Sequence, residues 1–405
     1  MSLFAAIRMP REVVFGSGQR RCLGTVARRL GTRALVCTDA RLAGDPLFKD
    51  MLEDLRASGL QVQVDSSVLP DVPRISCSTA AEAARAFAPD MVIGIGGGSC
   101  LDLAKCVALL LSHGGEPQDY YGEFKVPGPV LPIIAVPTTA GTGSEVTPVA
   151  VLSDPERTMK VGISSPHLIP TAAICDPELT ATCPPGLTAI AGADALTHAI
   201  EAFMAIRREP TPTLSQERVF VGKNALSDHF ALMAIGLLAN SLERAYRDSN
   251  DMAARSDVML GAMAAGAAFG TAGTAAAHAI QYPIGADTHT AHGLGVACLM
   301  PYVMTYNRPV AGAELAAIGG AMGLDDAVEA DLAGAAIDKV AALFAAIGIP
   351  TNLQQLGVGE DRLDWTAAQA LTIGRLIDNN PRPFDAASMN RLVRAAYSGD
   401  RQRAE

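Results

Sequence analysis

The spacing of hydrophobic residues changes near the middle of this chain. Before about residue 185, short apolar runs at 34–38, 62–65, 91–95 and 133–136 read as strands, and helical patterns at 45–58, 79–88 and 100–112 lie between them. Apolar strands alternating with helices predict a parallel sheet covered on both faces. Beyond that point, Ala- and Leu-rich segments at 188–204, 226–247, 255–281, 310–322, 328–347, 364–376 and 387–397 predict helices only. The breaker cluster Thr182-Cys-Pro-Pro-Gly186 separates the two patterns. The expected organisation is therefore an α/β, Rossmann-like nucleotide-binding domain over 1–184 and an all-α domain over 185–405. Residues 207–226, with Pro210 and Pro212 ahead of a polar run, read as a long loop or insertion between two helices.

Composition narrows the partners. A chain of 405 residues with 49% hydrophobic and 18% charged residues has enough apolar material for two substantial cores. Its net charge of −10 excludes nucleic acid as the expected partner, because phosphates demand a basic surface. The eight cysteines are scattered without a CxxC pair, which fits free thiols in a reducing cytoplasm better than a disulfide framework. The N-terminus shows no charged leader followed by a long apolar core. Residues 258–286 carry no formal charge, yet Ala and Gly dominate and His278, Gln281 and Pro283 interrupt the run, so a buried helix is expected there rather than a membrane span.

Two loops carry the first candidate chemistry. The strand at 91–95 runs into Gly96-Gly-Gly-Ser99, and a helix bearing Asp102 and Lys105 follows. Glycines let backbone N–H groups approach an anion, and a helix N-terminus adds partial positive charge. By itself this pattern is either a phosphate cradle or a tight turn. The second loop, Pro137-Thr-Thr-Ala-Gly-Thr-Gly-Ser-Glu145, follows another strand with hydroxyls and glycine amides suited to diphosphate or ribose. Two such loops at the ends of consecutive strands favour a dinucleotide. Asp39, ending the strand at 34–38, either bonds the ribose hydroxyls of NAD and repels the 2′-phosphate of NADP, or serves as a cap or turn residue.

The second candidate is a metal centre. Asp194 and His198 are four apart in a helical segment and so share one face, and His278 and His292 follow later in the chain. One carboxylate and three imidazoles form a donor set suited to iron, zinc and related ions.

Together, Gly96-Gly-Gly-Ser-Cys-Leu-Asp-Leu-Ala-Lys105, Pro137-Thr-Thr-Ala-Gly-Thr-Gly-Ser-Glu145, Asp176-Pro-Glu-Leu-Thr180 and Gly192-Ala-Asp-Ala-Leu-Thr-His-Ala-Ile-Glu201 resemble the iron-containing (group III) alcohol dehydrogenase family, in order and spacing, and the resemblance extends through His278 and His292 to about residue 305. It implies a dehydroquinate synthase-like architecture with a cleft holding NAD(P) and one divalent metal, Fe2+ ahead of Zn2+. Carried over by position, the metal ligands are Asp194, His198, His278 and His292. The cofactor residues are Asp39, Asp71, Gly97, Gly98, Ser99, Asp102, Thr138, Thr139, Thr142, Val151 and Lys160. NAD is expected ahead of NADP, with a homodimer or larger assembly and a small alcohol or aldehyde as substrate. A maleylacetate-type reductase and a dehydroquinate-synthase-like lyase are the alternatives.

Two departures stand out. Many members of the family carry a second histidine four residues after the third ligand, thought to help move the proton; this chain has Tyr282 there, whose phenol is a poorer relay near neutral pH. The run before the last ligand, Asp287-Thr-His-Thr-Ala-His292, introduces His289, which either supplies a proton path or faces solvent. The insertion at 207–226 is longer than typical of the family and lies beside the His198 helix.

Overall fold

The computed structural model describes residues 3–157, 159–325 and 330–405. It divides into two compact units, one of residues 8–182 with 216–219 and one of residues 3–7, 183–215 and 220–405.

Among the described residues the first unit is built on nine strands: β1 (Glu12–Phe15), β2 (Arg33–Cys37), β3 (Gln61–Asp65), β4 (Met91–Gly96), β5 (Gly122–Glu123), β6 (Ile133–Pro137), β7 (Val149–Leu152), β8 (Val161–Ser164) and β9 (Ala172–Cys175). Six form a parallel sheet in the order β1-β9-β6-β4-β2-β3, and β5, β8 and β7 form a small mixed sheet. Alternation along the strands feeds two cores. Ala34, Val36, Met91, Ile93 and Ile95 face helices α1 (Leu23–Leu30) and α2 (Pro46–Ala57), while Leu35, Cys37 and Val92 face α3 (Arg74–Arg85) and α4 (Gly98–His113). The four expected strands are present. The other five contain only two to four residues, too short for their apolar pattern to stand out.

Buried polar groups fasten the strand ends. Asp176, fully buried after β9, accepts hydrogen bonds from the Gly18 and Arg20 backbone amides at 3.1 Å and from the Arg20 guanidinium at 2.7 Å. Arg20 also pairs with Glu178. The Asp176-Pro-Glu block thus joins the ends of neighbouring strands β1 and β9. Lys105, fully buried on α4, donates to the carbonyls of Thr147 at 2.9 Å and Val149 at 2.8 Å. Burial lowers its ammonium to about 8, against the pull of Asp102 and Glu145. Burial also pushes the Glu145 carboxyl up to about 7, although Lys105 draws it down.

The second unit contains the helices α5 (Pro185–Met204), α6 (Leu214–Glu217), α7 (Ala225–Arg247), α8 (Met252–Ala272), α9 (Ala276–Thr288), α10 (His292–Ala321), α11 (Leu332–Ala346), α12 (Leu363–Leu371), α13 (Gly374–Ile377) and α14 (Ala386–Ser398), although Gln216–Val219 group with the first unit. Four expectations need correction. The single buried helix expected across 258–286 is two helices, α8 and α9, bent by 101°. Small residues on both sides of the break hide it from a hydropathy pattern. The segment at 310–322 is the last part of the 30-residue α10, which runs through Pro301 and kinks at Ala311 after Pro309. The insertion at 207–226 is not plain loop, since it contains α6 and an antiparallel bridge between Arg207 and Gly222. The segment expected at 364–376 is α12 plus the short α13, and the one at 328–347 is α11, with positions 328–329 outside the described residues.

Two outcomes follow. Asp176→Ala leaves the Arg20 guanidinium with Glu178 alone and the Gly18 and Arg20 amides without their acceptor, and should destabilise the protein by about 3 kcal/mol in urea denaturation. The Glu145 carboxyl is raised above its ordinary 4.5 in the folded protein. Its contribution to stability is therefore full below about 4.5 and is lost as pH rises toward 7. Glu145→Gln should flatten the fall in stability across that window, read as the difference between urea midpoints at its two ends.

Candidate metal and cofactor site

Helix α5 places Asp194, His198 and Glu201 at positions i, i+4 and i+7, one stripe along its buried face. His198 Nε2 lies 3.8 Å from Asp194 Oδ1 and His278 Nε2 lies 4.0 Å from the same oxygen. These separations exceed hydrogen bonds and suit donors that each sit about 2 Å from a shared ion. Ligand atoms of Asp194, His278 and His292 all fall within 4.8 Å of one another. The His198 ring stacks on His278 with centroids 4.8 Å apart, and the His278 and His292 centroids are 5.2 Å apart. The structure therefore clusters Asp194, His278 and His292, and His198 lies beside them, against Asp194 and the His278 ring.

His278 shows how the site is held ready. Its Nδ1 is 2.6 Å from Glu201 Oε2. A carboxylate can only accept, so Nδ1 carries the proton and Nε2 keeps its lone pair. That Nε2 is buried without a hydrogen-bond partner among the described residues. An orphaned basic nitrogen beside a carboxylate and two further imidazoles fits a divalent transition metal. Glu201, 1% exposed, also accepts from the backbone amides of Ala275 at 2.8 Å and Ala277 at 2.7 Å. It thus caps the N-terminus of α9 while orienting the histidine. Sequence reasoning missed this role. The available signal was a glutamate three residues beyond His198, on the ligand face of the same helix.

Phe269 stacks on the other side of His198, with centroids 4.2 Å apart and planes 21° from parallel. The Tyr282 ring centre is 6.0 Å from that of His292. His289 is exposed, with φ +55°, and its amide caps the C-terminus of α9 on the Gly285 carbonyl at 3.1 Å. Of its two readings, the structure supports the solvent-facing one.

In the first unit, β4 ends at Gly96 and α4 begins at Gly98, so the helix N-terminus carries Gly97, Gly98 and Ser99. A Cβ on Gly98 would meet Thr142 Cγ2 at 2.7 Å, so a side chain here would push the two loops apart. Thr138 donates its amide to the Gly96 carbonyl at 3.0 Å, and Thr139 packs beside Gly97. The expected phosphate residues thus lie together. Asp102 and Val151 behave differently. The Asp102 carboxylate accepts from Ser144 Oγ at 2.6 Å and from the Val151 amide at 3.0 Å. Both of its oxygens bind protein, which makes it an anchor for the second loop and β7, and burial raises its pKa.

Asp39 Oδ1 accepts from the Leu42 amide at 2.8 Å, so Asp39 does serve as a turn cap. Its Oδ2 receives the Cys100 thiol at 3.9 Å, and burial together with Asp39 pushes that thiol up to about 12, which keeps it a donor. Lys160, just before β8, forms an ion pair with Asp71, whose φ of +62° lies in the left-handed region that aspartate tolerates. The pair joins the segment after β3 to the β7–β8 turn.

The model of iron-containing alcohol dehydrogenase matches residues 10–177, and that of the Fe-containing alcohol dehydrogenase family, C-terminal, matches residues 188–397. Long-chain-alcohol dehydrogenase 1 of Geobacillus thermodenitrificans (strain NG80-2) is 37% identical over 378 residues, covering 92% of this chain and 91% of that protein. A crystal structure of 1,3-propanediol oxidoreductase superposes with a TM-score of 0.90 at 31% identity, covering 97% of this chain and 100% of that one. The sulfoacetaldehyde reductase from Bifidobacterium kashiwanohense, solved in complex with NAD+, gives a TM-score of 0.84 at 26% identity, with 98% and 99% coverage. The chain belongs to the iron-containing alcohol dehydrogenase family and is an oxidoreductase.

Proposed function

We propose that this enzyme transfers a hydride between NAD(H) and a primary alcohol or its aldehyde, with Asp194, His198, His278 and His292 holding one divalent metal. The observation that carries this reading is His278, its Nδ1 fixed by Glu201 and its buried Nε2 directed at Asp194 Oδ1. When bound, the metal supplies Lewis acidity, which lowers the pKa of an alcohol or polarises a carbonyl oxygen. Asp194 offsets part of the ion's charge, and neutral imidazoles hold it without adding more. Glu201 fixes the His278 tautomer and ring orientation, so binding needs no rearrangement there. Three imidazoles and one carboxylate accommodate Fe2+ and Zn2+ alike. The family favours Fe2+.

For the cofactor, the α4 N-terminus and the amides of Gly97, Gly98 and Ser99 offer an anion site, and Thr138, Thr139 and Thr142 add hydroxyls beside it. The half-buried Asp39 carboxylate, although it takes the Leu42 amide and the Cys100 thiol, keeps a negative charge at the end of β2 that disfavours a 2′-phosphate, hence NAD over NADP. Lys160 and Asp71 flank the same strand ends. We assign the proton path to Tyr282, close to His292, rather than to the exposed His289. Phe269 against His198 gives the metal an apolar neighbour, and an apolar alcohol chain suits that wall. Residues 207–226 shape the substrate's approach. Eight free cysteines suit a reducing cytoplasm, and a homodimer is the expected assembly.

The test is NADH absorbance during reduction of straight-chain aldehydes, hydroxy-aldehydes and oxo-acids, by protein stripped of metal and reloaded anaerobically with Fe2+ or Zn2+. Turnover should require metal. His278→Ala should lose about a thousandfold in kcat/KM, equivalent to roughly 4 kcal/mol of transition-state stabilisation. Glu201→Gln keeps the shape but weakens the hold on Nδ1, and it should cost about 10–100-fold in metal affinity by chelator competition. Metal-independent turnover, or metal affinity unchanged in His278→Ala, would remove the assignment.

A further inference from the structure

The corner between α8 and α9 delivers His278, and Glu201 grips only its α9 side. The α8 side has a second polar brace. Asn379, 3% exposed and just beyond α13, donates both amide hydrogens into the corner, to the Ala272 carbonyl at 3.0 Å and the Thr274 carbonyl at 3.1 Å. These carbonyls lie at a helix end and a sharp turn, where the backbone has no intrahelical partner for them. The opposite amide orientation would set the side-chain oxygen against two carbonyl oxygens, so the contacts fix which way the group points. Asn379 Oδ1 is left buried without a partner among the described residues. The side chain gives up one hydrogen bond to make the two that hold the turn. Gly273, at φ +86°, sits inside the same turn, and a Cβ there would approach Asn379 Nδ2 at 3.0 Å and Phe220 Cβ at 3.1 Å.

The backbone of Asn379 extends the connection. Its carbonyl accepts the Ile206 amide at 2.9 Å, where α5 has ended and the segment at 207–226 begins. At the far end of that segment, the Val221 amide donates to Thr271 at 2.8 Å and Phe220 packs against Gly273. Both ends of the insertion and the end of the ligand helix α5 therefore meet the corner that carries His278.

We infer that Asn379 is a positioning residue of the metal centre, fixing the α8–α9 corner so that His278 meets the Asp194 and His198 face of α5, and tying the 207–226 segment to that corner. The inference rests on the metal-site reading above. With Glu201 on the α9 amides and Asn379 on the α8 carbonyls, the bend is held from both ends of its broken hydrogen-bond ladder.

The test uses Co2+ as a spectroscopic probe in the full-length protein, with affinity from chelator competition and geometry from its visible absorption bands. Asn379→Leu keeps the volume and removes both donors. It should weaken Co2+ binding by about tenfold and change the visible bands. Asn379→Ser retains one donor and should fall between Leu and the parent, which keeps the test open if the leucine variant does not fold. Ser241→Ala is the control. It breaks a 2.7 Å bond from Ser241 Oγ to Asp257 between α7 and α8, away from the corner. It should lower the urea midpoint without changing Co2+ affinity. If the Asn379 variants lose stability yet bind Co2+ within twofold of the parent and with the same bands, Asn379 only supports the fold and the inference is wrong. Parent protein whose Co2+ binding survives His278→Ala would instead overturn the metal-site reading itself.

Discussion

The hydrogen bond between Glu201 and His278 Nδ1 is the constraint on which the proposed metal centre depends. It is made by a carboxylate that also receives two amides from the first turn of α9, so one group sets both a helix start and an imidazole orientation. Because Glu201 lies on the same stripe of α5 as Asp194 and His198, a single helix supplies two of the proposed ligands and the support for a third. Burial raises the stakes. A carboxylate 1% exposed without those three donors would carry a desolvation cost of several kcal/mol, so the corner and the helix are each costly to form alone. The ligand geometry follows from where α9 is allowed to begin.

The two units approach their ligands by different means. The first offers main-chain amides at a helix N-terminus, and its charged side chains mostly work inward. Asp102 holds Ser144 and Val151, Lys105 holds Thr147 and Val149, and Asp176 holds the Arg20 loop. Such anchoring suits a cofactor whose phosphates need fixed dipoles rather than mobile charges. The second unit offers side chains, one carboxylate and three imidazoles, in surroundings of Ala, Gly and Phe. Low-polarity surroundings of that kind strengthen the charge interactions within them.

How much of this was legible in the sequence depended on the range of each signal. Strands β2, β3, β4 and β6 stand out as apolar runs, whereas β1 and β9, of four residues each, and the small sheet of β5, β7 and β8 do not. The ligands were legible because Asp194 and His198 are a local helical pair and the family resemblance supplied His278 and His292. Glu201 was not, because its partners lie 74 to 77 residues away and nothing local marks them. The α8–α9 bend was equally hidden. Its turn, Gly273-Thr-Ala275, contains no proline, while Pro283 and Pro301 sit inside continuous helices where local rules predict breaks. Tertiary packing overrode local preference at those positions. Asp102 and Val151 were grouped with cofactor residues because of where they fall in the chain, and only the hydrogen bonds show that they bind each other.

An Ala- and Gly-rich helical unit gains close packing at the expense of uniqueness. Small side chains let helices approach, but they interlock weakly, so helices can slide or rotate with little loss of buried area. A metal centre cannot tolerate such slack, since its ligands must agree to within a fraction of an ångström. Buried polar links supply the registration that the apolar surface lacks. Glu201 and Asn379 hold the corner, the reciprocal Asn307–Asn380 amides at 2.7 and 3.0 Å tie α10 to the segment after α13, and Ser241 with Asp257 sets α7 against α8. Each link is directional and favours one register, so the helices meet in the arrangement that brings Asp194, His278 and His292 together. The scarcity of large aromatics in the sequence and the abundance of buried amide and carboxylate contacts in the structure are two sides of the same solution.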